Sequence, residues 1–376
     1  MKGYRNGIVG FEATSLEVAK RSGVSQYTAR LLKALIEQGG GWRYRLLSSR
    51  ELCGVIPEGA LYSATMRFPN KTIWMQVLLP LILSRLRLPL CHFTNFLAPL
   101  KAPCPYLVTI HDMSLFIHGE MHTRKSLWSV RSLLPLVARR ADAIIAVSES
   151  ARRDILSVLR VPAQKVRVIH EAAGEEYRVL DRPGELHRVS ATYGLQDPFI
   201  LSVGTIEPRK NLQRLLLAYA RLKQAGQKET LLLVGQLGWK YQGVLREIER
   251  LGLQDRVRIL GYVPDADLPA IYNLARALAF PSLYEGFGLP ILEAMACGTP
   301  VLTSNCSSMP EVAGEAAVLV DPCSQESLTE GLHRILQDAS FREQLRAAGF
   351  KRAAQFSWSR AAAETTRLYE NLTRSP

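Results

Sequence analysis

The 376-residue sequence has little cysteine and no long apolar run. Its six cysteines form no CxxC pair and no Cys/His cluster, so neither a zinc site nor a disulfide framework is indicated. The most apolar run, Ile73 to Leu83, contains Gln76 and Pro80 and is much shorter than the about 20 residues that cross a bilayer. The first ten residues also lack the apolar core of a secretory signal. We therefore expect a reduced, cytoplasmic setting.

Acidic residues are also few, since 34 Asp and Glu stand against 47 Lys and Arg, a formal net charge of +13. This excess predicts attraction to an anionic partner, which could be nucleic acid, an acidic membrane face or a phosphorylated substrate. A nucleic-acid-binding protein would need cations interleaved with stacking aromatic residues on one surface. The cations here are scattered along the chain, so we expect no nucleic acid partner.

The length of the chain is sufficient for two domains, each with its own core. Short apolar runs alternate with helical periods, which predicts parallel sheets covered by helices on both faces. The expected strands are residues 8–11, 44–47, 91–94, 106–110, 143–147 and 166–169 in the first half, and 199–203, 231–234, 257–260, 277–280, 301–303 and 318–320 in the second.

A polar stretch from Glu171 to Asp197 sustains neither the helical nor the strand period. We place the boundary inside it, with residues 1–185 in the first domain and 186–358 in the second. The predicted fold class is α/β, with two Rossmann-like, doubly wound parallel-sheet domains that face each other across a cleft. Ligands would bind at the carboxyl ends of the strands.

The segment Leu283 to Val301, LYEGFGLPILEAMACGTPV, carries two carboxylates around a glycine-flanked turn. Pro290 stands where the first helical residue is expected, because its missing N–H would have had no partner there. The N–H groups before it would point outward from the positive end of a helix and could hold a phosphate or diphosphate. On glycines and spacing alone, an ordinary strand-to-helix connection is an equal alternative.

The longer pattern, from Glu285 through EGFGLPILEAMACGTPV, resembles the donor-site motif of retaining, nucleotide-sugar-dependent glycosyltransferases of family four, which have the GT-B fold. The resemblance implies that Glu285 contacts the transferred sugar, that Glu293 binds the ribose hydroxyls, and that the intervening amides hold phosphate and sugar. These amides belong to Gly286, Phe287, Gly288 and Leu289.

The resemblance covers nearly the whole chain. It implies that residues 1–185 bind the acceptor and residues 186–358 the nucleotide sugar. A final helix within residues 359–376 would cross back to the first domain.

Two adjacent cations, Arg209 and Lys210, follow strand 199–203 and precede Asn211, the predicted N-cap of the next helix. Adjacent cations at such a turn are usually only solvated. The resemblance, however, implies that Lys210 binds the diphosphate. In many relatives an Arg directly follows the glycine, but Thr205 replaces it here, so we infer that Arg209 is the second cation.

The resemblance also implies a nucleobase site in the loops that follow strands 231–234 and 257–260. Its residues would be Gly235, Tyr262 and Val263, acting largely through backbone groups. At Gly235 a routine turn glycine is the alternative.

In the first domain, strand 106–110 ends at His111, which can hydrogen-bond and change charge near neutral pH. A lone histidine is more often structural, but the family has a functional histidine at this position, contacting the donor sugar. Ser22 to Ser25 resembles the family's loop near the diphosphate and acceptor, with its usual double glycine reduced to Gly23.

The stretch Arg124 to Arg140 is basic and has no acidic residue. Its apolar residues, among them Leu127, Leu134 and Val137, share one helical face, with the cations on the other and Pro135 predicting a kink or a new helix. Such a surface often lies on anionic lipid. A core-packed helix with a solvated basic back is the equal alternative.

Together these features predict a hexosyltransferase that uses a nucleoside-diphosphate sugar. The resemblance is greatest to bacterial mannosyltransferases that transfer from GDP-mannose in lipopolysaccharide O-antigen or exopolysaccharide assembly. The acceptor would be a glycan or an undecaprenyl-linked glycan. We expect no cofactor and no metal, because Lys210, Arg209 and the helix end would stabilise the leaving diphosphate. The alternatives are another hexose donor, such as a UDP-sugar, and a GT-B sugar-nucleotide epimerase or phosphorylase.

Overall fold

The structure is a computed structural model that describes residues 7–19, 22–53, 58–62, 68, 70–122, 124–195 and 198–374. It divides into two compact units. The first comprises Met1–Gly119, Arg124–Glu171 and Ser357–Pro376, and the second comprises Glu120–Thr123 and Ala172–Phe356.

The first unit is built on a seven-stranded sheet with the order β3-β2-β1-β4-β5-β6-β7, and every neighbouring pair is parallel. Its strands are β1 (Gly7–Glu12), β2 (Trp42–Leu47), β3 (Ala60–Leu61), β4 (Leu90–Phe93), β5 (Tyr106–Ile110), β6 (Ala143–Ala146) and β7 (Val166–Val168). Residues of β4, β5 and β6 are all buried, which explains why they read as continuous apolar runs.

The second unit has a six-stranded parallel sheet with the order β10-β9-β8-β11-β12-β13. Its strands are β8 (Phe199–Val203), β9 (Thr230–Val234), β10 (Val257–Gly261), β11 (Ala277–Phe280), β12 (Val301–Ser304) and β13 (Val318–Val320). The strand order reverses between β8 and β11. In open parallel sheets such a reversal opens a crevice at the carboxyl ends of the strands, where ligands bind.

Helices connect the strands in both units. They are α1 (Gly23–Glu37), α2 (Lys71–Ile73), α3 (Leu79–Leu86), α4 (Ser114–Ile117), α5 (Arg124–Arg140), α6 (Glu149–Leu159), α7 (Pro183–Tyr193), α8 (Leu212–Gln224), α9 (Gln242–Arg250), α10 (Leu268–Leu274), α11 (Leu289–Ala296), α12 (Met309–Ala313), α13 (Gln325–Gln337), α14 (Ala339–Ala353) and α15 (Trp358–Arg374). A π-helical turn, Trp74–Leu78, joins α2 to α3.

The core of the second unit forms where α8 and α13 pack on its sheet. Leu215, Leu216 and Tyr219 of α8 are buried together with Leu328 and Leu332 of α13. Their three- and four-residue spacing gives each helix one apolar face, and burial of these faces positions the loops at the strand ends.

The last helix, α15, is part of the first unit. The Tyr369 hydroxyl lies 2.7 Å from Nδ1 of His92, and Nε2 of His92 lies 3.0 Å from Oγ1 of Thr109 on β5. Burial lowers the pKa of His92 to about 3, so the ring is neutral in this network. The network ties the end of the chain to the middle of the sheet.

The predicted strands are confirmed to within one or two residues at each end, and the two-sheet α/β class is confirmed. Strand β3 was not predicted, because two residues are too few to show a period. Across the described residues, no helix combines the length and apolarity that a membrane span requires.

Candidate active site

The loop after β8 brings Arg209 and Lys210 to the reversal point of the second sheet. The chain turns at Gly204, with φ 139°, and again at Asn211, with φ 58°. Asn211 stands at the start of α8, but its side chain makes no capping bond. Its amide donates instead to the carbonyl oxygens of Pro281 at 3.1 Å and Pro322 at 2.8 Å. The predicted N-cap position of Asn211 is confirmed, but its side chain binds the loop after β8 to the loops after β11 and β13.

The loop after β11 places Glu285 against both cations. Oε2 of Glu285 lies 2.5 Å from Nη1 of Arg209, and Oε1 lies 2.7 Å from Nζ of Lys210. Arg209 also pairs with Glu207, with Nη2 and Oε1 2.8 Å apart. Lys210 lies over the Phe280 ring, 4.6 Å from its centroid. Two carboxylates and two cations thus form a charge-balanced cluster where the strand order reverses.

Burial and charge act in opposite directions on these groups. Burial raises the pKa of Glu285, but Arg209 and Lys210 outweigh it and lower the value to about 2. Burial also lowers the pKa of Lys210, an effect that Glu285 partly offsets. For Glu207, burial raises the pKa and the neighbouring Arg209 only partly compensates. Glu285 is therefore firmly ionised and holds both cations.

Two serines bind the carbonyl oxygens of the turn between Glu285 and α11. Ser307 Oγ donates to the Glu285 carbonyl at 2.5 Å, and the single O–H of Ser308 is shared between the carbonyls of Phe287, with Oγ 2.6 Å away, and Glu285, with Oγ 2.9 Å away. Gly288 then adopts φ 115°, which favours glycine, and α11 begins at Leu289. Pro290 is the second helical residue rather than the first. The predicted loop-then-helix arrangement is confirmed, and its positive end lies beside the cluster.

Glu293 lies one turn into α11 and is buried, with 6% of its surface exposed. Its Oε2 accepts a hydrogen bond of 2.9 Å from the Tyr272 hydroxyl. Burial raises the pKa of Tyr272 well above its usual range, and the negative charge of Glu293 raises it further. The carboxylate is thus held in one orientation by a neutral phenol.

The loop after β9 approaches the loop after β8 closely. Gly235 has φ 145°, and a Cβ atom there would lie 2.0 Å from the Gly204 carbonyl oxygen. Its N–H donates to the carbonyl of Gly261 at the end of β10, at 2.8 Å. Close packing of backbone on backbone therefore requires glycine at position 235. Val263 is buried and Tyr262 half-buried just beyond.

In the first unit, His111 follows β5 and bonds through both ring nitrogens. Nε2 lies 3.0 Å from the Thr94 carbonyl oxygen, and Nδ1 lies 3.1 Å from Oε1 of Glu171. Both partners accept, so this geometry favours the doubly protonated ring. Burial lowers the pKa of His111, but the bond to Glu171 and its charge outweigh burial, so the pKa is raised. The ring also meets the edge of Tyr27, with centroids 4.6 Å apart.

Comparison with known proteins agrees with this geometry. The sequence matches the glycosyl transferases group 1 family over residues 185–352 and glycosyltransferase family 4 over residues 21–173. The O-antigen chain mannosyltransferase B of Escherichia coli is 37% identical over 283 residues, 75% of this chain and 74% of that protein. This chain belongs to the family-four glycosyltransferases.

Other relatives extend the comparison. The serotype-specific mannosyltransferase WbdA of Escherichia coli is 38% identical over 230 residues, 59% of this chain but only 28% of WbdA. Among solved structures, a sucrose-phosphate synthase from Thermosynechococcus elongatus aligns with a TM-score of 0.79 at 21% identity, covering 99% of this chain and 100% of the other. WaaG, a glycosyltransferase involved in lipopolysaccharide biosynthesis, aligns with a TM-score of 0.74 at 17% identity, covering 96% of this chain and 99% of the other. The GT-B fold class is confirmed.

Gly23, assigned to a loop of this family-four glycosyltransferase, is the first residue of α1. The N-cap is Ser22, whose Oγ accepts from the Ser25 N–H at 3.3 Å. A Cβ atom at Gly23 would meet nothing within 4 Å, so the fold does not require glycine there. Its assignment to the diphosphate stays a prediction.

Four supporting residues of the glycosyltransferase were missed by sequence reasoning: Glu207, Glu171, Tyr272 and Ser308. Glu207 stands two residues before Arg209, and that proximity is the only local signal. Glu171 was placed at the edge of the polar boundary stretch, yet it is buried in the first unit beside His111. Tyr272 and Ser308 give no sequence signal, because their partners lie 21 residues away.

The basic stretch forms the single helix α5, with Pro135 inside it. Val130, Leu134 and Val137 are buried, so its apolar face packs into the protein. Arg131 donates to the carbonyls of Leu115 at 2.8 Å and Phe116 at 3.2 Å. The side chains of Arg124 and Lys125 lie outside the described part of the chain. Of the two alternatives for this stretch, the core-packed helix is the one that the described residues form.

One sequence feature of metal sites occurs in the glycosyltransferase, the spacing Asp265-Ala266-Asp267. Asp267 is occupied by other partners, since its carboxylate accepts from Arg188 at 2.6 Å and from the Tyr193 hydroxyl at 2.8 Å. Within the ranges that the structure describes, no three His, Cys, Asp or Glu side chains come together as a metal site would require.

Proposed function

We propose that this glycosyltransferase moves a mannosyl residue from GDP-mannose to a hydroxyl of a glycan or undecaprenyl-linked glycan in bacterial surface polysaccharide synthesis. The support for mannose is the set of similar mannosyltransferases, including the O-antigen enzyme that aligns over three quarters of the chain. The support for a diphosphate donor is the cluster of Arg209, Lys210 and Glu285 beside the start of α11.

The cluster suits a donor with a diphosphate next to a sugar. In our proposal Lys210, Arg209 and the first amides of α11 hold the diphosphate, and Glu285 contacts the sugar. Glu293 holds the ribose, and its bond from Tyr272 orients it. The loops at Gly235, Tyr262 and Val263 hold the base through their backbone. His111, held by Glu171, contacts the donor sugar as in other members of the family.

We infer the course of the transfer from the resemblance to retaining enzymes of the family. The acceptor oxygen bonds to C1 of the sugar as the bond from C1 to the diphosphate oxygen breaks, and the acceptor proton passes to the leaving diphosphate. Because attack and departure occur on one face, the configuration at C1 is retained. Negative charge grows on the diphosphate in the transition state, where preorganised cations and helix amides stabilise it more than in the ground state.

An acceptor carried on a lipid would place the reaction at the cytoplasmic face of the membrane. We propose that the enzyme is cytoplasmic and makes peripheral contact with that face of the membrane. Such contact would keep it close to a lipid-linked acceptor. The net charge of +13 favours an anionic lipid surface.

The direct test is a panel of labelled sugar nucleotides with and without a mannose-terminated lipid-linked acceptor. We expect acceptor-dependent release of GDP from GDP-mannose and a product whose new linkage keeps the donor configuration. Transfer from a UDP-sugar instead would refute the donor assignment. Turnover of donor without any acceptor would favour the epimerase alternative, and an inverted linkage would refute the retaining mechanism. Reactions without enzyme would serve as the blank, and the Glu285→Gln variant as the low-activity control.

A further inference from the structure

The segment Lys71–Leu86 of the first unit exposes a line of apolar side chains. Ile73, Val77 and Leu81 are 45%, 53% and 59% exposed. They are spaced four residues apart along α2, the π-helical turn and α3. A π turn is wider than the about 3.6 residues of an α turn, so residues four apart lie more nearly in one line here than in a continuous α-helix.

The opposite side of this segment packs into the core, which leaves the line of Ile73, Val77 and Leu81 on the outside. Trp74, Met75, Leu79 and Leu83 are buried there and attach the helix to the protein. The other exposed large apolar side chains among the described residues lie on different segments, one each. Single exposed apolar residues are ordinary, whereas three in one line on one helix form a surface that another apolar phase can cover.

Positively charged residues lie at both ends of this line. Lys71 begins the segment, Arg85 lies one further four-residue step beyond Leu81, and Arg87 follows the helix; both arginines are exposed. The sequence contains no Asp or Glu from residue 59 to residue 111. An apolar line with cations at both ends, in a stretch of sequence without carboxylates, is complementary to a bilayer with apolar acyl chains beneath anionic headgroups.

We propose that the face formed by Ile73, Val77, Leu81, Arg85 and Arg87 docks this enzyme on an anionic phospholipid bilayer. The apolar side chains enter the boundary between headgroups and acyl chains, and the two arginines meet the phosphates of the headgroups. A second copy of the chain fits less well. A two-fold dimer through this face would oppose cations to the same cations, and a line of three side chains is far smaller than the about 800 Å² per partner of a stable interface.

This docking face differs from the basic helix α5. Val130, Leu134 and Val137 of α5 are buried, and Leu136 is its single exposed large apolar residue among those described, so that helix presents no line of apolar side chains. The proposal also does not depend on the donor or the acceptor, because it concerns binding of the unliganded protein. Its failure would therefore leave the proposed transfer reaction untouched.

The experiment is co-sedimentation of the full chain with vesicles of phosphatidylcholine alone and with added phosphatidylglycerol, at low and high salt. One variant, Val77→Ser with Leu81→Ser, makes the line polar. A second, Arg85→Gln with Arg87→Asn, removes the cations; Asn is chosen because Arg87 has φ 48°, which Asn tolerates. The matched control is Leu245→Ser with Leu319→Ser, two exposed apolar residues of the second unit. Gel filtration of every variant checks folding and self-association.

We expect wild-type protein to bind the anionic vesicles, and to release at high salt. One cation near such a surface is worth about 1 kcal/mol, or about fivefold in partitioning, so the arginine variant should bind about 25-fold more weakly. The serine variant should lose at least about tenfold, and the control should match wild type. The proposal would be overturned if wild type did not bind the vesicles, or if both helix variants bound them as strongly as wild type. It would also be overturned if wild type did not bind vesicles but self-associated in gel filtration, and only the serine variant lost that self-association.

Discussion

Replacement of Glu285 by glutamine is the most informative single change in the candidate active site. The substitution keeps the shape of the side chain and removes the charge that Arg209 and Lys210 share at 2.5 and 2.7 Å. Without a diphosphate, the variant leaves two adjacent cations with Glu207 as their remaining counter-charge. With a diphosphate bound, the ligand itself supplies the missing charge.

The size of the effect on stability follows from the pKa of Glu285. The pKa falls from 4.5 to about 2 on folding, and each unit corresponds to about 1.36 kcal/mol, so the ionised carboxylate contributes roughly 3 kcal/mol. The side chain is only 9% exposed, so solvent screens this contribution little. Because the folded pKa is the lower one, the contribution is present above about pH 4.5 and is lost as the pH falls through about 2.

We therefore expect Glu285→Gln to unfold more easily than wild type at neutral pH, with a gap that narrows toward pH 2. The affinity for free GDP should not be weakened, since the cations become available to the diphosphate. Transfer from the full donor should fall about 10²- to 10³-fold, the usual cost of one preorganised electrostatic contact. Urea unfolding across pH, calorimetry with GDP and steady-state transfer measure these three quantities.

Lys210→Ala supplies the contrast, because it removes a cation from the diphosphate rather than a contact from the sugar. It should weaken GDP binding and slow transfer, with the larger loss in transfer, since charge on the diphosphate grows toward the transition state. Glu326→Gln, which removes one negative charge from an exposed carboxylate that pairs with Arg221, is the charge-matched control for Glu285→Gln. Identical profiles for the Glu285 and Lys210 variants, or a Glu285 variant unable to bind free GDP, would show that the donor is oriented differently.

Three further predictions concern Glu293, Gly235 and His111. Glu293→Ala should weaken GDP binding by about 1.5 to 3 kcal/mol per lost charged hydrogen bond; unchanged affinity in calorimetry would remove Glu293 from the ribose site. Gly235→Ala should lower the free energy of unfolding by about 3 kcal/mol or more, because its Cβ would meet the Gly204 oxygen at 2.0 Å; a normal urea midpoint would contradict the close approach. The raised pKa of His111 means that its ion pair with Glu171 stabilises the fold fully below about pH 6.5 and less as the pH rises through the folded value. The free energy of unfolding of wild type relative to His111→Gln should therefore fall as the pH rises above about 6.5, and a difference that does not change with pH would contradict the raised pKa of His111.

Much of the fold could be predicted because parallel strands are buried on both faces. Runs such as Tyr106–Ile110 and Ala277–Phe280 are continuously apolar for that reason, and the helices between them carry one apolar face each. Strand β3 gave no such signal at two residues. The helix α5 shows the limit of periodicity, because an apolar face looks the same in sequence whether it meets a core or a lipid.

In the candidate site, too, the sequence predicts some residues and gives no signal for others. Glu285, Gly288 and Glu293 stand at fixed offsets in one short segment, so the resemblance of that segment to the family motif was enough to propose them. The partners of these residues were not local. Tyr272 and Ser308 had no signal of their own. Asn211 stands at the predicted N-cap, but its side chain bridges two loops instead of capping the helix, because its neighbours come from other strands.

The sequence by itself determined the alternation of strands and helices, the glycine-flanked turn before α11, and the presence of cations after β8, since each depends on residues close together in the chain. Only the tertiary structure decided that Arg209 and Lys210 share the carboxylate of Glu285, 75 residues away from Lys210. That contact exists because β8 and β11 are neighbours at the point where the strand order reverses. Strand order is settled by the packing of the whole unit, and no local pattern encodes it.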